Sequence, residues 1–325
     1  MRRQRRVSAQ RTENKIRMIG YYYRTACEER LEKLANFRTG AWINVEAPTR
    51  EELELLTSKY GLDPDLLSDA LDPDEIPRTE IEGDIVYVYM RYAYRKEDTV
   101  ETDPVLLAIG PKFVASVSRH SLPKAERLLA SKDLVTTQQS KLLLLLLRHL
   151  VLSYEANVKF LDRQIRGVRA RLNVATVSNR DFVRFVVIED ALNSFSAELV
   201  PVNLSLQTLL SGRYNLTFCE DDRDLMEDLV QDTRQLIESS RSSLRTIVNI
   251  REAYSNIMTN NLNRRVELLT SITVVLTVPT IVFSLWGINV PVPGADNQYA
   301  FEILSFSTIM AMVAILYWLY KKRWL

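Results

Sequence analysis

Two charge-free apolar runs stand close together at the C-terminal end of this 325-residue chain. From Leu268 to Trp286 the sequence reads LLTSITVVLTVPTIVFSLW, and from Ile303 to Tyr320 it reads ILSFSTIMAMVAILYWLY. At ~1.5 Å per helical residue, each can cross the ~30 Å hydrocarbon core of a bilayer. Buried core helices of a soluble protein are the competing reading, and the flanks argue against it. Arg264 and Arg265 precede the first run, Lys321, Lys322 and Arg323 follow the second, and the connector carries only Asp296 and Glu302. The positive-inside bias puts both basic ends in the cytoplasm and the acidic connector outside. Trp286, Tyr317, Trp318 and Trp324 supply aromatics for the interfaces. The chain reads as a multi-pass protein of the plasma (inner) membrane, with both termini cytoplasmic and the bilayer as a partner.

The rest of the composition excludes several classes. Lys plus Arg total 42 against 41 Asp plus Glu, so the balance gives no reason to expect a nucleic-acid partner. Nine Gly and eleven Pro are few for this length, which favours long helices over an all-β chain. Cys27 and Cys219 cannot staple a fold of this size, and His120 and His149 leave little for histidine-rich metal sites. The sequence has no Gly-rich phosphate loop, nucleophile motif or ligand cluster at catalytic spacing. An enzyme, or a protein with a permanently bound cofactor, is not expected. The opening MRRQRRVSAQRTENKIR lacks an apolar core and is no secretory signal; residues 1–18 read as a basic disordered tail near anionic lipid.

Residues 19–122 read as a cytoplasmic αβ domain. β-rich pieces fall at Gly20–Arg24, Ala41–Val45, Asp84–Tyr94, Val105–Ile109 and Lys112–Ser118, the last two joined by the turn signal Gly110-Pro111. Between them Thr49 and Glu52 are spaced as a capping box at a helix start. Residues 123–212 read as a cytoplasmic helical region, with an antiparallel pair over Lys141–Arg171 and Asn179–Ser211. The apolar run Leu142–Leu147 is too short to span and reads as buried helix. No Gly or Pro occurs from Arg213 until Pro279, so residues 213–286 read as one stalk helix of ~100 Å continuing into the first span. Residues 287–302 form the external loop, 303–320 the second span, and 321–325 a basic cytoplasmic end.

One feature of the long helix bears on function. Asn256, Asn263, Thr270, Thr277 and Ser284 recur every seven residues, nearly two turns, so they share one slowly drifting face. Within the span the intervening residues are mainly Leu, Ile and Val, although Ser271, Thr273 and Thr280, off this register, are also polar. Hydroxyls that satisfy their own helix backbone, or a polar helix–helix contact, are alternatives for any one of them. Five in register point to a pore-lining face. Two spans cannot enclose a hydrated path alone, so such a pore requires several copies with this helix innermost. The stripe has hydroxyls and carboxamides but no carboxylate, Lys, His or Cys. It suits a cation that keeps its water, as Mg²⁺ does, with weak contacts at several levels so that the ion can leave. Asp296 and Glu302 raise the local cation concentration.

Further residues carry a family resemblance. Trp286-Gly287-Ile288-Asn289-Val290 closes the first span, and the second ends in Lys321-Lys322-Arg323-Trp324-Leu325. In the soluble part stand Trp42-Ile43, Leu67-Ser68-Asp69-Ala70-Leu71-Asp72-Pro73 and Ile76-Pro77-Arg78-Thr79-Glu80. The chain resembles the two-transmembrane Gly-Met-Asn family of divalent-cation transporters, the CorA-type magnesium transporters and their zinc-transporting relatives. The resemblance implies a funnel-shaped homopentamer: an α+β cytoplasmic domain, a very long stalk helix and two C-terminal transmembrane helices. It assigns the outer mouth to Gly287, Ile288 and Asn289, and matches Asn263, Thr270, Thr277 and Ser284 to pore-facing positions. The transported ion it implies is Mg²⁺, with Co²⁺ and Ni²⁺ possible.

This chain departs from the family pattern in two places. Ile288 replaces the family's Met, a variant that occurs among relatives assigned to zinc. Asp228, in the acidic stretch that opens the long helix, resembles one half of a regulatory metal site, but Arg95 stands where the other carboxylate is expected, and the two suggest a fixed ion pair. The alternatives are therefore a Zn²⁺ transporter, proton-coupled or not, and, from another class, a membrane-tethered sensor or scaffold.

Overall fold

The computed structural model describes residues 19–28, 30–97, 99–122, 125–172, 179–214, 216, 218–288 and 297–322. They form two compact units, one reaching Ile247 and one beginning at Val248.

The first unit is built on a seven-stranded sheet. Its strands are β1 (Ile19–Tyr23), β2 (Glu32–Leu34), β3 (Trp42–Glu46), β4 (Arg78–Glu82), β5 (Ile85–Lys96), β6 (Thr99–Gly110) and β7 (Phe113–Ser118). They run in the order β2-β1-β3-β7-β6-β5-β4. Only β3 and β7 are parallel, with Ile43 opposite Ala115; the other neighbours are antiparallel. All the β-rich segments expected from sequence are strands, and β6 and β7 meet at the Gly110-Pro111 turn. Two strands were not anticipated. β2 is three residues of Glu-Lys-Leu, and β4 is a charged edge strand whose Arg78 is held by Asp69, Glu75 and Glu80.

Helices cover both faces of the sheet. On one lie α1 (Arg50–Tyr60) and α2 (Pro64–Asp69). The capping box at Thr49 and Glu52 is present, and Gly61 ends α1 in the left-handed region at φ 69°. Leu56, Leu62 and Leu67 meet Ile43, Val45, Tyr87, Leu106 and Val117 in one core. After the short α3 (Ala125–Leu129) come α4 (Gln139–Leu172) and α5 (Asn179–Leu210), which contact each other and the sheet. Leu142, Leu143, Leu144, Leu146 and Leu147 are buried in α4, as the short apolar run implied. Arg91 and Glu198 tie α5 to the strands. Glu198 is 3.1 Å from Arg91 and accepts from Thr102 and Tyr154 at 2.6 and 2.7 Å. Burial first, and the Glu198 carboxylate second, push the Tyr154 phenol well above its ordinary pKa, so it remains the donor.

The long helix is α6 (Glu220–Trp286), 67 residues with Pro279 inside. It begins at Glu220 rather than near residue 213, because Gly212 (φ 74°) turns the chain and residues 211–214 are a turn. Glu220, Asp221 and Asp222 occupy its first turn, where the helix dipole favours carboxylates. The second unit holds the remainder of α6 and α7 (Ala300–Lys321). Both helices contain windows long and apolar enough to cross a membrane, and only 11% of each window is buried. Core helices of a soluble protein would be covered.

Candidate functional site

The geometry of the first span follows from which residues are covered. Ser271 and Val275 are buried, and Val278, Pro279, Val282 and Trp286 are half-buried. On α7, Thr308 and Leu319 are buried, with Leu304, Met312 and Ile315 partly so. Each set recurs at helical spacing, so each helix of this unit has one covered face. Asn256, Asn263, Thr270, Thr277 and Ser284 are all exposed. At 3.6 residues per turn, Thr270, Thr277 and Ser284 centre about 150° around α6 from the covered face. The polar stripe and the covered face thus point in nearly opposite directions.

Two further hydroxyls share the open side. Thr273 precedes Thr277 by one turn and Thr280 follows Thr273 by seven residues; both are exposed. A strict seven-residue count assigns Thr273 off the stripe. Four residues is also about one turn, however, so Thr273 lies beside Thr277 rather than across from it. The i+4 spacing was the signal that the seven-residue register overlooked. The threonine protons go to backbone: Thr273 donates to the Leu269 carbonyl oxygen at 2.9 Å, Thr277 to Thr273 at 2.7 Å, and Thr280 to Leu276 at 2.9 Å. A hydroxyl has one donor and two acceptor lone pairs. With the proton committed inward, each oxygen presents acceptors outward. Ser271, on the covered face, is different, since its buried hydroxyl has no partner among the described residues.

Around the end of the span, the Gly287 amide donates to the Phe283 carbonyl oxygen at 2.9 Å and continues the helical pattern. Gly287 and Ile288 are exposed. Asn289 and Asp296 lie outside the described residues. Glu302 is exposed in the first turn of α7. At the basic end of the second span, Lys322 sits 4.4 Å from the Trp318 ring centroid.

The suggested pairing of Asp228 with Arg95 does not form within one chain. Asp228 is exposed on α6, and the Arg95 guanidinium stacks over the Phe160 ring at 4.1 Å. Nor do three or more His, Cys, Asp or Glu converge on a metal position among the described residues.

Comparison with known proteins gives consistent results. A family described as CorA-like Mg²⁺ transporter protein matches residues 38–322. A cobalt/magnesium transport protein, CorA, of Methanocaldococcus jannaschii is 23% identical over 295 residues, covering 87% of this chain and 91% of that protein. The complete structure of the CorA magnesium transporter from the same organism superposes with a TM-score of 0.82. It is 20% identical and covers 95% of this chain and 99% of that one. The zinc transport protein ZntB of Yersinia pseudotuberculosis is 22% identical over 107 residues, a third of each chain.

Proposed function

The chain belongs to the CorA-like Mg²⁺ transporter family, and from that premise we propose that it carries divalent cations, Mg²⁺ foremost, through a pore lined by α6 of several copies. One observation carries the pore assignment: the exposed polar stripe faces away from the side of the first span that is covered. A tether for a sensor or scaffold has no use for such a stripe. Five copies are what the family resemblance implies, with both basic flanks in the cytoplasm and the acidic connector outside.

The chemistry at the stripe is acceptance of hydrogen bonds from the ion's own water. Mg²⁺ dehydrates reluctantly, so a wall that holds its hydration shell costs less than one that strips it. Thr270, Thr277 and Ser284, each repeated in every copy, form rings of acceptors, and Asn256 and Asn263 continue the line. At the outer mouth the Asn289 carboxamide and the carbonyl oxygens of Gly287 and Ile288 receive the ion. Asp296 and Glu302 concentrate cations there. We give Asp228 an ionic rather than a metal-binding role.

Zn²⁺ is the second reading, favoured by Ile288 in place of Met. A dehydrated Zn²⁺ site calls for His or Cys, and all four such residues, Cys27, His120, His149 and Cys219, lie outside both spans. Flux into liposomes of purified protein, comparing Mg²⁺, Co²⁺, Ni²⁺ and Zn²⁺ with and without a proton gradient, tests the assignment. Mg²⁺ flux independent of the gradient supports it. Zn²⁺ flux alone, driven by protons, overturns it.

A further inference from the structure

We propose that a polar cavity in the first unit, between α5 and the chain that leaves β7, binds a small zwitterion: a free α-amino acid with an apolar side chain. The site lies apart from the stripe on α6, and it stands whether or not several copies share a pore.

The cavity holds about 460 Å³, within the range of small-molecule sites. Its walls come from β5, β6, residues 73–74, residues 119–120 after β7, and α5. His120 is fixed at three points. Its carbonyl oxygen accepts from the Tyr92 and Ser118 hydroxyls at 3.2 and 2.7 Å, and its ring Nδ1 lies 2.7 Å from the Asp103 carboxylate. The Asp103 side chain is 9% exposed and that of His120 60%. An ionised carboxylate only accepts, so Nδ1 carries the proton and Nε2 is the uncommitted edge of the ring. A wall held this firmly before a ligand arrives loses little freedom when one binds.

The charges select the ligand. Arg91, Lys96 and Arg119 line the cavity against Asp74, Glu101 and Asp103. Most of them are already engaged: Arg91 with Glu198, Lys96 with Glu101, and Asp103 with His120. Arg119 and Asp74 remain. Both are exposed, and among the described residues neither has an ion pair, with the other or elsewhere. One uncommitted guanidinium and one uncommitted carboxylate thus share a cavity without touching. A phosphate dianion there would meet three carboxylates, and a bare cation would meet three cations. A ligand with one charge of each sign satisfies both, its carboxylate on Arg119 and its ammonium on Asp74. Burial first, and the hydrogen bond to Glu101 second, push the Tyr94 phenol above its ordinary pKa. It therefore keeps its proton, donates it to Glu101 at 3.0 Å, and leaves lone pairs for an ammonium. Val100, Ala191 and Phe195 supply an apolar wall for the ligand's side chain. Ala191, Ser194 and Phe195 belong to α5, so an occupant clips that helix to the sheet one turn from the tie between Glu198 and Arg91.

Equilibrium dialysis and thermal melting of the full-length detergent-solubilised protein test this, with L-leucine and L-methionine as probes. Each should bind saturably and raise the apparent Tm by a few degrees, since a ligand held only by the folded protein stabilises it. N-acetyl-leucine lacks the ammonium and leucinamide lacks the carboxylate, so each should bind several-fold more weakly than leucine. Arg119→Gln and Asp74→Asn should each weaken leucine binding several-fold. Both side chains are exposed, so melting without ligand should stay at the wild-type value. Absence of saturable binding by either amino acid would overturn the site. Leucine binding that both substitutions leave intact would overturn it as well, because the ligand would then sit elsewhere. Inorganic phosphate or N-acetyl-leucine binding as tightly as leucine, and lost in Arg119→Gln alone, would make the cavity a simple anion site and remove the zwitterion.

Discussion

The Thr277 hydroxyl donates to the Thr273 carbonyl oxygen at 2.7 Å, on the side of α6 that is left open. A backbone hydrogen bond of this kind is often taken as the whole purpose of a threonine in a membrane helix. Here it fixes which way the oxygen's remaining lone pairs point. Thr277→Val keeps the side-chain shape and deletes those acceptors; in the proposed pore the loss repeats in every copy and would leave an apolar collar that dewets and raises the conduction barrier. Flux in liposomes should fall several-fold. Ser271→Ala, on the covered face, should leave flux near the wild-type value. Equal effects would mean the open side does not face the ion path.

Asn289→Ala tests the outer mouth. On the proposed role of Asn289, loss of the carboxamide removes the group that would hold the hydration shell of an arriving cation. Uptake should be nearly abolished while the protein still assembles to the wild-type mass. Wild-type uptake by a correctly assembled variant would remove Asn289 from the mouth.

Assembly itself is measurable. The solubilised protein should have several times the 37.5 kDa of one chain, five copies being the family expectation. A monodisperse monomer that still conducts would contradict a shared pore.

The tie between Arg91 and Glu198 makes a stability prediction. The Arg91 side chain is 9% exposed, and Glu198 is its carboxylate partner at 3.1 Å. Glu198→Ala leaves that cation buried and the Tyr154 hydroxyl without its acceptor. Breaking a buried pair in this way costs about 3–5 kcal/mol. The apparent Tm should drop by several degrees, with little change in the ion preference of protein that remains folded. An unchanged Tm would show that Arg91 finds water instead.

These predictions draw on features that were unequally legible in the sequence. The spans were plain because charge-free runs of that length have few other uses. The helix start at Thr49 was plain because its capping partners are three residues apart. β4 was hidden because Arg78-Thr79-Glu80-Ile81-Glu82 is an edge strand with charged residues and little apolar alternation. α2 was not anticipated: Asp63 and Pro64, a cap and a first-turn proline, carry its start signal, but six residues give no periodicity to confirm it. The heptad stripe was legible, whereas the place of Thr273 beside it required the other helical spacing. The basic cavity of about 670 Å³ beside the end of β5 was not legible at all. Arg95, Arg127, Arg148 and Lys159 come from three elements, and only packing brings them together.

Thiol accessibility along α6 tests the central claim most directly. In a Cys27→Ser, Cys219→Ser background, cysteine is placed singly at Thr277, Ser284 and Val275, and Mg²⁺ flux is followed as a membrane-impermeant cationic thiol reagent is added. The stripe positions should react and flux should be blocked, because a fixed positive charge then stands in the ion path. The Val275 variant, on the covered face, should neither react nor lose flux. Block at Val275 with none at Thr277 and Ser284, or full modification of the stripe without loss of flux, would contradict a pore lined by this face.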